Sequence, residues 1–137
     1  MKSLLKKVGY CFAAGCLGGV AMNVVNLVFG IVNIPEFLGV DMAQDVNANS
    51  LYSDLFWGGI WGLLFLIPLL KDVPLVRGVL VSIVPSLAQL FIFLPLVKGV
   101  NFLEGEFRLM LPVYVFLLNS VWGIVASSFL FYTNPNK

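Results

Sequence analysis

Histidine is missing from this chain of 137 residues, and charge is scarce, with Asp, Glu, Lys and Arg making up 11%. A water-soluble domain carries roughly 25% charged residues. Without histidine the chain lacks the side chain most used for acid–base work and for holding metals at neutral pH. It also lacks G-x-S-x-G, H-E-x-x-H and the phosphate-binding G-x-x-x-x-G-K-[ST]. The expectation is a non-enzymatic protein with no cofactor and no metal. A net charge of +1 and two scattered arginines, Arg77 and Arg108, give no basic surface for tracking phosphates, so nucleic acid is not an expected partner. Cysteine occurs twice, at Cys11 and Cys16. Five positions apart on a helix, their Cα atoms lie about 8–9 Å from each other, beyond the roughly 7 Å limit for a disulfide. They read as two unlinked small apolar residues.

What is abundant is apolar surface: 60% of residues are hydrophobic and the mean hydropathy is +0.98. Lipid can accept that surface, whereas a soluble core of this size could not hide it. Four long apolar runs stand out, at about 8–32, 51–70, 78–97 and 109–132. Backbone groups in hydrocarbon must be satisfied within the segment, so such runs are helices. The second is bounded by Asp54 and Lys71, which leaves it short and moves its expected start back to Leu51. The reading is an all-α integral membrane four-helix bundle forming one domain over 1–137.

Basic residues orient it. With the N-terminus cytoplasmic, six (Lys2, Lys6, Lys7, Lys71, Arg77 and Lys137) fall inside and two (Lys98 and Arg108) outside. That is a positive-inside bias with both termini in the cytoplasm. The acidic residues agree: Glu36, Asp41, Asp45, Asp54, Glu104 and Glu106 fall outside, Asp72 inside. Ala13-Ala14-Gly15-Cys16 resembles a lipoprotein cleavage site, but an uncharged stretch continues to Val32, and an uncleaved first helix is expected.

Wound at 100° per residue, each run sorts into two faces. Gly15, Gly18, Gly19, Met22, Asn23, Asn26 and Gly30 share one side of the first; Val20, Val24, Leu27, Val28 and Ile31 share the other. Gly15-x-x-x-Gly19 and Gly58-x-x-x-Gly62 are small-residue seams of the kind that let membrane helices approach closely. Ser82, Ser86, Gln89 and Phe93 line up in the third run, and Pro112, Phe116, Asn119, Gly123 and Ser127 in the fourth. Asn23, Asn26, Gln89 and Asn119 thus form a candidate polar cluster inside the membrane, with Asn23, Gln89 and Asn119 at similar depth. Two roles are open: hydrogen-bonding glue between helices, the reading placed first, or a small polar site for a solute.

Other features have local readings. Pro85 frees the carbonyl of Val81, with Ser82 and Ser86 placed to answer it; Pro95 helps end the third span, and Pro112 suits the first turn of the fourth. Residues 34–40 are expected to lie in the interface. Asp45-Val-Asn47-Ala-Asn49 opens like a calcium loop, but Ser50 stands where glycine is needed and Phe56 where glutamate is needed. Tyr52, Trp57, Tyr114 and Tyr132 fit aromatic belts, while Trp122 is expected to pack on Gly58 or Gly62. Asp54 is a candidate outer-edge carboxylate. Its expected role is to favour a helix N-terminus; binding a proton or cation is the alternative.

The run Leu87-Ala88-Gln89-Leu90-Phe91, followed by Pro95-Leu96, is similar to a stretch of YagU-like proteins, which are small bacterial inner-membrane proteins. The likeness covers about ten residues of one helix. It implies a bacterial inner membrane and carries over no catalytic residue. The functional expectation is a bundle in membrane lipid that packs with itself, as a homo-oligomer, or with a larger membrane protein. The alternative is a small-solute transporter or channel acting as an oligomer.

Overall fold

The structure, a computed structural model, describes residues 1–40, 47–99 and 110–133. Asp41, Asp45, Glu104, Glu106, Arg108 and Lys137, all counted in the charge asymmetry, lie outside the described residues, as does Leu109 at the start of the fourth run. Among the described residues all regular structure is helical, as expected.

Helix α1 (Lys2–Ile31) begins ahead of its apolar run and takes in Lys2, Lys6 and Lys7. It is followed by Asn33 at φ 55°, a left-handed conformation that asparagine tolerates. Pro35 then sits in the first turn of the short helix α2 (Ile34–Phe37). The segment after α2 does more than rest at an interface, because Val40 turns inward and is buried among Leu90, Leu94, Leu111 and Tyr114.

Helix α3 (Ala48–Gly62) starts three residues before the expected Leu51 and continues as a 3-10 turn over Leu63–Leu66. Its start is fixed by a capping box: the Asn47 side chain accepts from the Ser50 amide, and Ser50 Oγ accepts from the Asn47 amide. Its stop is fixed by Pro68, which drives the preceding Ile67 into extended backbone at ψ 122°. The helical part of the second run therefore ends at Leu66 and not at residue 70.

Helix α4 (Pro74–Ala88) has Pro74 in its first turn and passes through Pro85. It continues as a π-helix over Gln89–Lys98, running past Pro95 before Gly99 ends it at φ 63°. Helix α5 covers Met110–Thr133. By length and composition Lys2–Ile31, Pro74–Leu96 and Met110–Thr133 can each cross a bilayer, which makes this a membrane protein with at least three candidate spans.

Packing follows the small residues. Helix α1 lies against both α3 and α5, and α4 lies against α5. Gly15 meets the backbone of Gly58 and Gly62, Gly19 meets the Asp54 carbonyl, and Gly123 meets Gly78. A Cβ added at Gly78 would lie 2.6 Å from the Gly123 carbonyl carbon, so these are backbone-to-backbone contacts. On α1 the large side chains point the other way: Val24, Leu27, Val28 and Ile31 are 47–71% exposed. On this helix, small and polar inside with branched apolar outside suits a hydrocarbon solvent.

Three face assignments need correcting. Gly30 is exposed, with nothing near its would-be Cβ, because it lies in the last turn of α1 beyond the packed stretch. Phe116 is 37% exposed, at the edge of a buried α5 stripe that runs through Val115, Leu118, Trp122 and Ala126. Tyr114 belongs to that stripe and is buried, so it is not a belt residue, whereas Tyr52 and Tyr132 are well exposed. The serines near Pro85 also differ from expectation. Ser82 donates to the Val79 carbonyl and Ser86 to that of Ser82, so neither answers Val81.

Candidate functional site

Two apolar clusters divide the interior. One gathers Val40, Leu90, Leu94, Tyr114, Val115 and Leu118; the other gathers Cys11, Ala14, Phe65, Val81, Trp122 and Ala126, and Met22 packs against both. Beside Met22 lies a cavity of about 250 Å³. All five polar candidates line it: Asn23 and Asn26 from α1, Asp54 from α3, Gln89 from the start of the π-helix and Asn119 from α5.

Within it the amides form separate pairs. Asn23 Nδ2 donates to Asp54 Oδ2 at 2.8 Å and to the Gly19 carbonyl at 3.1 Å. Asn119 Nδ2 donates to Gln89 Oε1 at 3.0 Å and to the Val115 carbonyl at 3.0 Å. Tyr114 donates its hydroxyl to Asn26 Oδ1 at 2.7 Å. Each pair ties two different helices together. The tyrosine escaped the sequence reading because a position near a span end suggested an interfacial role.

Asp54 is not the cap of its helix, since that role belongs to Asn47. It is the seventh residue of α3, about 9 Å along the axis from the first. It is half-buried, and its partner Asn23 is buried. Among the described residues lining the cavity it is the one ionisable side chain. No group of three or more His, Cys, Asp or Glu that could hold a metal occurs among the described residues.

Aromatic rings complete the walls. Trp57, Trp61 and Trp122, the three tryptophans of the chain, all line the cavity. Trp122 donates its indole N–H to the Gly15 carbonyl at 3.0 Å and packs on Gly18 and Gly58, the latter as expected. Trp57 meets Phe93 edge-on, with ring centroids 5.1 Å apart, bridging α3 to the π-helical part of α4. The i→i+5 winding of that stretch turns Gln89, Phe93 and Leu94 toward the same space.

At the far end of the bundle Arg77, counted on the cytoplasmic side from the sequence, lies in the first turn of α4 and turns inward. It is 7% exposed and donates to the carbonyls of Phe65 at 2.6 Å and Ile67 at 3.2 Å. Its guanidinium carbon stands 5.2 Å from the centroid of the Phe65 ring. A cation thus meets the carbonyl end of the α3 segment, where the helix dipole favours positive charge. Cys11 and Cys16 are free thiols, and Cys16 Sγ points at the Leu55 carbonyl 3.3 Å away.

No family model, curated protein or solved structure matches this chain.

Proposed function

We propose that this chain is a non-enzymatic integral membrane protein that holds a small solute in the cavity between its helices and acts as a transporter or channel subunit in an oligomer. The observation that carries this reading is the convergence of Asp54, Asn23, Asn26, Gln89 and Asn119 on one cavity of about 250 Å³. Glue alone requires no such space, because the pairs Asn23–Asp54, Asn119–Gln89 and Tyr114–Asn26 could join the helices without a cleft between them. A carboxylate within a membrane helix marks a functional site by default, because its burial is expensive. The packing-only bundle, placed first on the sequence, accounts for the glycine seams and leaves the cavity without a purpose.

The same proposal includes four spans with both termini cytoplasmic, in a bacterial inner membrane. The six-to-two distribution of basic residues supports that orientation, and α3 with its 3-10 extension supplies the remaining crossing. The short likeness to YagU-like proteins supports the choice of membrane. Reporter fusions at Lys137 and at Asp45 then give opposite readouts; equal readouts contradict the topology.

Native mass spectrometry of the full chain released from mild non-ionic detergent tests the solute reading. The expected spectrum contains the chain plus a small molecule that leaves on collisional activation. A spectrum of the bare chain, together with tryptophan emission indifferent to a panel of small cations, polyols and anions, contradicts it and returns the bundle to a packing role.

A further inference from the structure

Resting on the solute reading above, we infer that the occupant is a small alkylammonium ion, an amine or quaternary ammonium, with Asp54 as its counter-charge and the tryptophans as its walls. The charge argument comes first. Asp54 is the one ionisable side chain among the described lining residues, so the cavity favours a cation and disfavours an anion. An ionised carboxylate offers about four acceptor positions, and the amide of Asn23 takes one at 2.8 Å. A carboxylate inside a membrane protein needs further partners, and among the described lining no lysine or arginine supplies one.

The walls narrow the class of cation. Tryptophan faces attract an ammonium within about 6 Å of the ring centre, and the attraction grows as water is excluded. Two of these rings are fixed by contacts within the protein: Trp122 by its bond to the Gly15 carbonyl, Trp57 by its edge-on contact with Phe93. Pre-set rings lose little entropy on binding. Size and chemistry point away from a bare metal ion. A cavity of about 250 Å³ exceeds the needs of one, and the described residues hold no cluster of His, Cys, Asp or Glu to ligate it. The apolar side chains of Met22, Leu94 and Leu118 suit the carbon body of an organic cation.

Because all three tryptophans line the cavity, their emission reports on it directly. The experiment titrates the purified full chain in non-ionic detergent with two cations and their neutral analogues: choline against 3,3-dimethyl-1-butanol, and phenethylammonium against 2-phenylethanol. Both cations are expected to shift the emission saturably and to bind at least about tenfold more tightly than their neutral partners. That preference should shrink severalfold in Asp54→Asn, to what the tryptophan faces alone supply, and persist in Asp54→Glu. Should Asp54→Asn fail to fold, the wild-type ratio of cation to neutral affinity still decides. A ratio near one overturns the ammonium assignment, and a preference of full wild-type size in Asp54→Asn overturns Asp54 as the counter-charge; either result leaves a solute site standing. If none of the four compounds shifts the emission but native mass spectrometry finds a retained molecule, the ammonium assignment alone falls. If no molecule is retained either, both readings fall.

Discussion

Asn23 on α1 donates its amide to the Asp54 carboxylate on α3 at 2.8 Å, joining the neutral polar face of one helix to the charge carried by the other. The close approach that permits this bond is set one turn away on α1, where Gly19 lies against the carbonyl of Asp54. The small-residue seam and the polar site are therefore one arrangement: the glycine brings the backbones together, and the asparagine uses the gap.

That pairing predicts energetic coupling. Asn23→Leu leaves the carboxylate without its amide donor and should lower stability by about 1–3 kcal/mol. A double-mutant cycle with Asp54→Leu, followed by unfolding in mixed detergent, should give a coupling on the order of 1 kcal/mol. Strict additivity of the two losses would mean that the bond contributes nothing.

The glycines predict a sharp contrast between packed and open positions. Gly15→Ala drives a methyl into the Gly58 backbone, and Gly78→Ala drives one into Gly123. Each should cost about 1–3 kcal/mol through forced separation of the helices. Gly9→Ala and Gly30→Ala meet nothing within 4 Å and should be neutral or slightly stabilising, as expected for alanine replacing glycine in a helix. Thermal unfolding in detergent separates the two groups, and equal effects at Gly15 and Gly30 would refute the face assignment.

At the other end of the bundle, Arg77→Met removes the donors to the Phe65 and Ile67 carbonyls and keeps the apolar stem. Hydrogen bonds from a charged group contribute about 1.5–3 kcal/mol each, so a loss of about 2 kcal/mol or more is expected. Arg77→Lys should recover part of it, because an ammonium can donate to the same carbonyls but loses the planar guanidinium that lies by the Phe65 ring. Full stability in Arg77→Met would show that the loop before α4 holds itself without the arginine.

Much of this was legible in the sequence, for identifiable reasons. Gly15, Gly58 and Gly62 could be placed because a four-residue spacing of small side chains means close approach in any membrane helix. Asn23, Gln89 and Asn119 could be placed because amides are rare among apolar neighbours and fall on the small-residue faces. Two local signals went unread: Asn47-x-x-Ser50 as a capping box, which displaced Asp54 from the cap, and Pro68 as the stop after Leu66. The rest depends on tertiary structure. That Tyr114 reaches Asn26, or that Arg77 reaches back to Phe65, follows from which helices are neighbours. The π-helical winding after Ala88 breaks the uniform 100° step on which any face assignment relies.

The central claim is that the amides and Asp54 face a shared space between helices while outward side chains such as Val24 and Ile92 face lipid. Cysteine accessibility in bilayer vesicles tests it most directly. Cys11 and Cys16 are first changed to alanine, and single cysteines are then placed at Asn26 and Gln89, which line the cavity, and at Val24 and Ile92, which are 55% and 53% exposed on the outer surface. A small water-soluble cationic methanethiosulfonate reacts with thiolate, which forms only where water reaches. The account predicts modification of Asn26→Cys and Gln89→Cys, and none of Val24→Cys or Ile92→Cys. Reaction at Val24→Cys and Ile92→Cys with none at Asn26→Cys and Gln89→Cys would contradict it.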